Sequence, residues 1–333
     1  MATAKKTNGP KLDRPKSNSQ ETRAERRRAV QAAQAAQAAQ AARAKRDERH
    51  RRLFYWGAGV AVVAAAALVV ALVVRNGDDT PAASGDAPVV GGDLHTVFAA
   101  DDALYVGGHA RAAVSDDDGK TWQDIGDLEG ADAMGWAASG DTLLAGGHPG
   151  LYRSTDDGAT FEQLSGTSAV PDVHALGGAG DVVYLASTQA GVLASTDGGT
   201  TWEVRNADAG QSFMGTILVD PENTDRLIAP DMSGALATSS DGGRTWSTLG
   251  GPEGAMAAAW NPQNTDEIIA AGMQGAQRNT NGGDTWTPVE LPSGTTAVSY
   301  APDGNTIYTG VLSGEQAIVY RSTDDGNTWT PIT

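Results

Sequence analysis

The chain has 333 residues, 42 of them Gly and none Cys, and a formal net charge of −17. The absence of Cys excludes disulfides, thiol nucleophiles and Cys-based zinc or iron–sulfur sites. The charge is divided: residues 1–52 carry 15 Lys or Arg against five Asp or Glu, whereas residues 76–333 carry eight against 36, so the acidic portion is unsuited to nucleic acid or anionic polymers.

Residues 1–20 are polar and basic and contain Pro10 and Pro15, which predicts a disordered cytoplasmic tail. Residues 21–52 are rich in Ala, Gln, Arg and Glu, and their intrinsic propensity predicts a basic helix. Gln31, Gln34, Gln37 and Gln40 repeat every third residue; this period drifts around a 3.6-residue helix, so the helix has no fixed seam for a coiled coil. Residues 53–74 then run without a charge from Leu53 to Val74, with Phe54, Tyr55 and Trp56 at one end and Arg75 beyond the other. About 20 apolar residues cross a bilayer, and the basic cluster on the N-terminal side places that side in the cytoplasm. The long basic leader favours an uncleaved anchor over a signal peptide. The expectation is a single-pass protein of the cell membrane with an extracytoplasmic C-terminal domain. Residues 75–92, rich in Gly, Asp, Ala and Pro, read as a linker.

From residue 93 onward the chain repeats. The pattern S-x-D-x-G-x-T-W occurs at Ser115–Trp122, Ser154–Phe161, Ser195–Trp202, Ser239–Trp246, Asn279–Trp286 and Ser322–Trp329, at steps of 39 to 44 residues. That period is one four-stranded propeller blade. Asp117, Asp156, Asp197, Asp241, Asn281 and Asp324 are assigned a structural role: a carboxylate or amide oxygen accepts backbone N–H groups inside a tight turn, and the Gly supplies a positive φ. In the third unit, residues 173–176, 182–186, 191–194 and 201–205 read as four strands, with the aromatic opening the outermost one. The predicted fold is therefore all-β, a six-bladed β-propeller over residues 93–333, preceded by one transmembrane helix.

These repeats resemble the Asp-box, or BNR, proteins, a group that includes sialidases, other exo-acting glycoside hydrolases, sortilin-like receptors and photosystem assembly factors. The resemblance covers Leu94 to Thr333 and implies the propeller fold; the group contains both enzymes and receptors. A sialidase would add an R-I-P stretch, three arginines that grip a carboxylate, and a Tyr nucleophile with Glu and Asp. No R-I-P occurs, only seven Arg follow residue 75, and Arg153, Arg278 and Arg321 each directly precede a repeat motif.

In a propeller, ligands occupy the face opposite the hairpins that carry the motif. Alignment on the repeats places His95, Met134 and His174 at one position, the entry to the innermost strand, with Met214 following in unit four and Met256 within one residue of register. His109 and His148 share a second position, the loop between strands two and three, with Met273 matching and Met232 adjacent. Imidazole and thioether together suit copper or another transition metal, so His95, His109, His148 and His174 are candidate metal ligands, with Met134 and Met214 as auxiliary sulfur donors. The alternative is packing, with Met filling gaps and each His bonding a neighbouring carbonyl. The expected function is a ligand-binding or scaffolding module that takes a metal, a small molecule or a protein on this face, and not an enzyme. A glycoside hydrolase is the first alternative, with Asp93, Asp132, Asp172 and Asp231 as its candidate carboxylates; an assembly factor for a membrane complex is the second.

Overall fold

The computed structural model describes residues 87–140, 142–165 and 170–333. The basic helix and the membrane-spanning segment expected over residues 21–52 and 53–74 lie outside the described residues. Among the described residues no helix is long and apolar enough to cross a membrane.

Six antiparallel sheets, each read from its innermost strand outward in chain order, form a six-bladed propeller. The innermost strands are Leu94–Ala99, Gly135–Ser139, Ala175–Ala179, Gly215–Thr216 continued by Leu218–Val219, Ala255–Asn261 and Thr295–Tyr300. In the fourth blade the first of these pieces pairs in parallel with the third blade, Gly215 opposite Ala175. The ring closes between blades 6 and 1, where Thr296 Oγ1 donates to Leu94 O at 2.9 Å and Ala99 N donates to Ser299 Oγ at 3.1 Å.

The apolar residues separate into six buried clusters, one at each interface between blades. This follows from the pleat, since alternate side chains of each strand face opposite neighbours. Between blades 1 and 2, Tyr105, Trp136 and Phe161 pack ring on ring, with centroids 5.0 and 5.9 Å apart.

The repeated turn owes its shape to side-chain hydrogen bonds. In the third copy Ser195 Oγ donates to Asp197 Oδ1 at 2.7 Å and accepts from Gly199 N at 2.8 Å. Thr201 gives Asp197 both its N–H, at 2.8 Å to Oδ1, and its hydroxyl, at 2.6 Å to Oδ2. Gly199 has φ +84°, which favours glycine, and a Cβ there would come within 2.6 Å of Leu144 Cδ1 in the preceding blade. The fifth copy has Asn279 and Asn281 in place of Ser and Asp, and Asn279 Oδ1 takes over the bond from Gly283 N at 2.7 Å.

Two details differ from the sequence reading. The motif aromatic precedes the outer strand instead of opening it: Trp202 stands before Glu203–Asn206, and its ring seals the interface with the preceding blade. The same holds for Trp246 and Trp286. The expected linker also ends sooner than residue 92. Val89 bridges Gln316, Val90 N donates to Glu315 O at 2.8 Å, and Val90 is wholly buried in the cluster between blades 6 and 1. Composition marks Gly and Pro but does not reveal that two valines have a sheet edge to pair with.

Candidate functional site

The innermost strands open on the face away from the repeated turns, and there a ring of six equivalent residues surrounds the channel. Met134 N donates to Gly146 O, His174 N to Ala186 O and Met214 N to Pro230 O, at 2.7, 2.9 and 3.1 Å. In blades 1, 5 and 6 the ladder slips by one residue at the same point, leaving His95, Met256 and Thr296 as the extra residue of a bulge. Such bulges re-aim a side chain at the rim of a sheet. His95 and Met256 line the same small cavity in the channel, together with Gly215 and Ala297.

The second position lies in the loop after each second strand. His109 N donates to Asp93 O, Met232 N to Ser212 O and Met273 N to Gly254 O, at 3.1, 3.0 and 3.2 Å. In each case the acceptor lies two residues before the strand entry of the same blade. Met232 is thus an equivalent of His109, not a residue adjacent to it. Met273 is exposed, and Met134 is buried.

The four histidines separate into two groups, each completed by an aspartate that the sequence reading weighed only as a hydrolase carboxylate or turn residue. His148, Asp172 and His174 form one group, and His95, His109 and Asp132 form the other. In the first, His174 Nε2 lies 2.9 Å from Asp172 Oδ1, His148 Nε2 lies 3.4 Å from the same oxygen, and the two ring nitrogens are 3.2 Å apart. The loop that supplies His148 contains a cis peptide to Pro149. In the second group, His109 Nδ1 lies 3.1 Å from Asp132 Oδ1, which also accepts from Ala110 N at 3.2 Å. The stagger of the blades explains the pairing: the loop histidine of one blade meets the aspartate at the strand entry of the next.

Asp172 is 4% exposed, and its two oxygens have different roles. Oδ2 accepts a hydrogen bond from the Thr188 hydroxyl. Oδ1 is buried, points between the two imidazoles and receives no well-directed hydrogen bond. An unsatisfied buried carboxylate oxygen is costly. Burial pushes this carboxyl up, but the close approach and charge of His174, the charge of His148 and the Thr188 N–H outweigh it, so its pKa lies below the ordinary value. Burial lowers the pKa of His95, against the pull of Asp93 and Asp132, which keeps the imidazole neutral. Its Nε2 is buried and has no hydrogen-bond partner.

A tetrahedral ion bound at 2.0–2.1 Å by nitrogen and oxygen holds its ligand atoms about 3.3 Å apart. The separations of 2.9, 3.2 and 3.4 Å in the first group are close to that spacing. Protons alone fit the arrangement less well, because each Nε2 offers either one hydrogen or one lone pair, and here each faces two polar atoms.

The other candidate carboxylates are bound into turns. Asp93 Oδ1 accepts from Leu94 N at 2.9 Å, and Asp231 Oδ1 accepts from the Ser212 hydroxyl and Ser233 N at 2.7 and 2.8 Å. A general acid needs a raised pKa, and that of Asp172 is shifted the other way. Arg278 pairs with Glu267, which also accepts from the Tyr300 hydroxyl at 3.2 Å. Burial and the Glu267 charge push the Tyr300 phenol up, the opposite of what a Tyr nucleophile requires.

No protein-family model matches the chain, and no curated protein matches it. Solved structures do resemble it. The GH74 xyloglucanase of Xanthomonas campestris superposes with a TM-score of 0.51 at 19% identity, over 74% of this chain and 46% of the xyloglucanase. The GH74 enzyme of Niastella koreensis gives 0.50 at 15% identity, over 74% and 55%. A structure of YCF48 bound to D1 peptide gives 0.49 at 17% identity, over 76% and 86%. The chain spans about half the length of the two GH74 enzymes. These likenesses show the fold alone.

Proposed function

We propose that this chain is a membrane-anchored ligand-binding module whose channel-mouth face holds a divalent first-row transition metal ion. The observation that carries this reading is the convergence of His148 Nε2, His174 Nε2 and Asp172 Oδ1 at 2.9 to 3.4 Å, with the carboxylate oxygen buried and unsatisfied. Three protein donors leave a fourth position open. His148 is half exposed, so that position faces solvent and an exchangeable ligand. Two imidazoles and one carboxylate suit zinc or cupric copper, in keeping with the usual affinity order of divalent ions. Thr188 supports the site from behind by holding Asp172 Oδ2, the kind of outer contact that orients a ligand.

The anchor in this reading is the uncharged stretch from Leu53 to Val74, with the N-terminus in the cytoplasm and the propeller outside. The five Ser–Asp–Gly–Thr turns, and the Asn version in blade 5, support membership of the Asp-box group. The aspartates that a hydrolase would use are held in turns or paired with histidine, and this favours binding over glycoside hydrolysis.

Full-length protein titrated with Zn(II) and Cu(II) against competing chelators is expected to bind with a Kd below about 1 μM. A His148→Ala/His174→Ala variant loses that affinity. Absence of binding, or equal binding by the variant, overturns the proposal.

A further inference from the structure

The propeller repeat moves the first site by one blade but does not copy its donors. Asp132 stands two residues before Met134 just as Asp172 stands two before His174, and Met134 N and His174 N make the equivalent strand-entry hydrogen bond. His109 meets Asp132 as His148 meets Asp172. The position that carries His174 in the first site therefore carries Met134, a buried residue, here. A second imidazole comes from the other side, because His95 at the entry of blade 1 brings a ring nitrogen within 4.8 Å of the donor atoms of His109 and Asp132. Its buried Nε2 has no partner.

We propose that His95, His109, Asp132 and Met134 form a second, softer metal site that takes monovalent copper, separate from the divalent-ion site one blade away. Thioether and neutral imidazole are donors that favour Cu(I), and a buried Met adapts its three torsions to an ion without a rigid cage. His109 is the exposed member, with 64% of its side chain accessible, whereas His95 is 12% exposed; the ion would enter from the solvent side past His109. His109 Nδ1 and Asp132 Oδ1 already stand 3.1 Å apart, so an ion held by that pair draws in His95 and the adaptable Met134, and the affinity responds to the flexible Met and the loop His together.

The experiment is an anaerobic titration of the full-length protein with Cu(I) in competition with a Cu(I)-selective chelator, before and after saturation with Zn(II). Two variants are compared with the native chain, His95→Ala/His109→Ala and His148→Ala/His174→Ala, along with Met134→Leu, which keeps the volume and removes the sulfur. Cu(I) is expected to bind to Zn(II)-loaded protein, to persist in the His148/His174 variant and to be lost in the His95/His109 variant. Met134→Leu should weaken Cu(I) at least tenfold and leave Zn(II) affinity unchanged; X-ray absorption of the Cu(I) form should show a sulfur scatterer that this variant lacks. Cu(I) displaced by Zn(II), or retained in the His95/His109 variant, overturns the proposal while leaving the divalent site intact. Loss of Zn(II) binding alone would overturn the first reading and leave this one standing.

Discussion

His148 reaches out of the second blade to Asp172 at the entry of the third, with Nε2 3.4 Å from Oδ1. The contact joins two blades through polar groups at a rim where the apolar clusters end, and it leaves a carboxylate oxygen without a well-directed hydrogen bond. An ion at that point would both satisfy the oxygen and tie the blades together. Metal at 100 times its Kd is then worth about 2.7 kcal/mol of stability, or a rise in Tm of about 5–10 °C for a domain of this size. Asp172→Asn keeps the shape and an acceptor for the Thr188 hydroxyl but removes the charge. The variant is expected to fold with a metal-free Tm near that of the native chain, and to lose more affinity than the roughly 10–100-fold that removal of an outer-shell partner costs. A metal-induced rise in Tm that survives in Asp172→Asn would rule out Asp172 as a ligand.

The repeated turns predict a particular response to acid. The Thr201 and Thr245 hydroxyls, followed by the N–H groups of the same residues, hold Asp197 and Asp241 down at about 2. Asp117, Asp156 and Asp324 are lowered by the equivalent threonines. A carboxyl with a folded pKa below its unfolded value, near 3.9, contributes stability that is complete above that value and is lost as pH falls through the folded pKa. Urea midpoints should therefore change little in this respect from pH 7 to about pH 5, and fall between about pH 4 and pH 2. Asp197→Asn, measured across that window, should flatten the fall relative to the native chain. An identical slope would show that the turn does not stabilise the ionised form.

Much of this architecture was legible in the sequence, because the turn that defines each blade is local: Ser195, Asp197, Gly199 and Thr201 make their bonds within seven residues of one another. The spacing of such turns counts blades without any knowledge of contacts between them. The histidines were legible as a register, since His109 and His148 each stand six residues before Ser115 and Ser154, and His95 and His174 stand 20 and 21 residues before Ser115 and Ser195. Their partners were not. Asp132 and Asp172 look like turn residues within their own blades, and only the stagger between blades brings them to His109 and His148. Bulges at His95, Met256 and Thr296 were hidden for a related reason, because an extra residue in one strand is defined only by its partner strand.

Blade 5 offers a test of the turn from the other direction. Asn281 accepts from Thr285 N at 3.0 Å and donates from Nδ2 to Thr285 Oγ1 at 2.9 Å. Asn281→Asp would turn the first contact into a charge-assisted bond and let the hydroxyl donate, as in the other five copies. Hydrogen bonds to charged acceptors are stronger than neutral ones, although the site is exposed and the surroundings are acidic. The expected gain is about 0.5 kcal/mol, a rise in Tm of about 1–2 °C, read by differential scanning calorimetry at pH 7. The gain should shrink as pH falls from about 4 toward 2, as the new carboxyl takes up its proton. A variant less stable than the native chain at pH 7 would mean that repulsion from the acidic surface outweighs the turn.

Glu267 holds together the turn side of blades 5 and 6. It pairs with Arg278 and accepts from Tyr300 Oη and Asn261 Nδ2, both at 3.2 Å, while Arg278 Nη1 donates to Asp325 O at 2.7 Å in the neighbouring blade. Glu267→Gln keeps acceptors for Tyr300 but leaves the guanidinium without its counter-charge. Breaking a buried pair by removing one partner costs about 3–5 kcal/mol. Arg278 is 22% exposed, and solvent reduces the penalty to about 1–3 kcal/mol, a fall in Tm of about 3–10 °C. Glu267→Gln combined with Arg278→Met removes the unpaired charge, so the double variant should be more stable than Glu267→Gln alone. The coupling is read from a double-mutant cycle. Additive losses would show that Glu267 acts through Tyr300 and Asn261 and that its ion pair with Arg278 adds nothing.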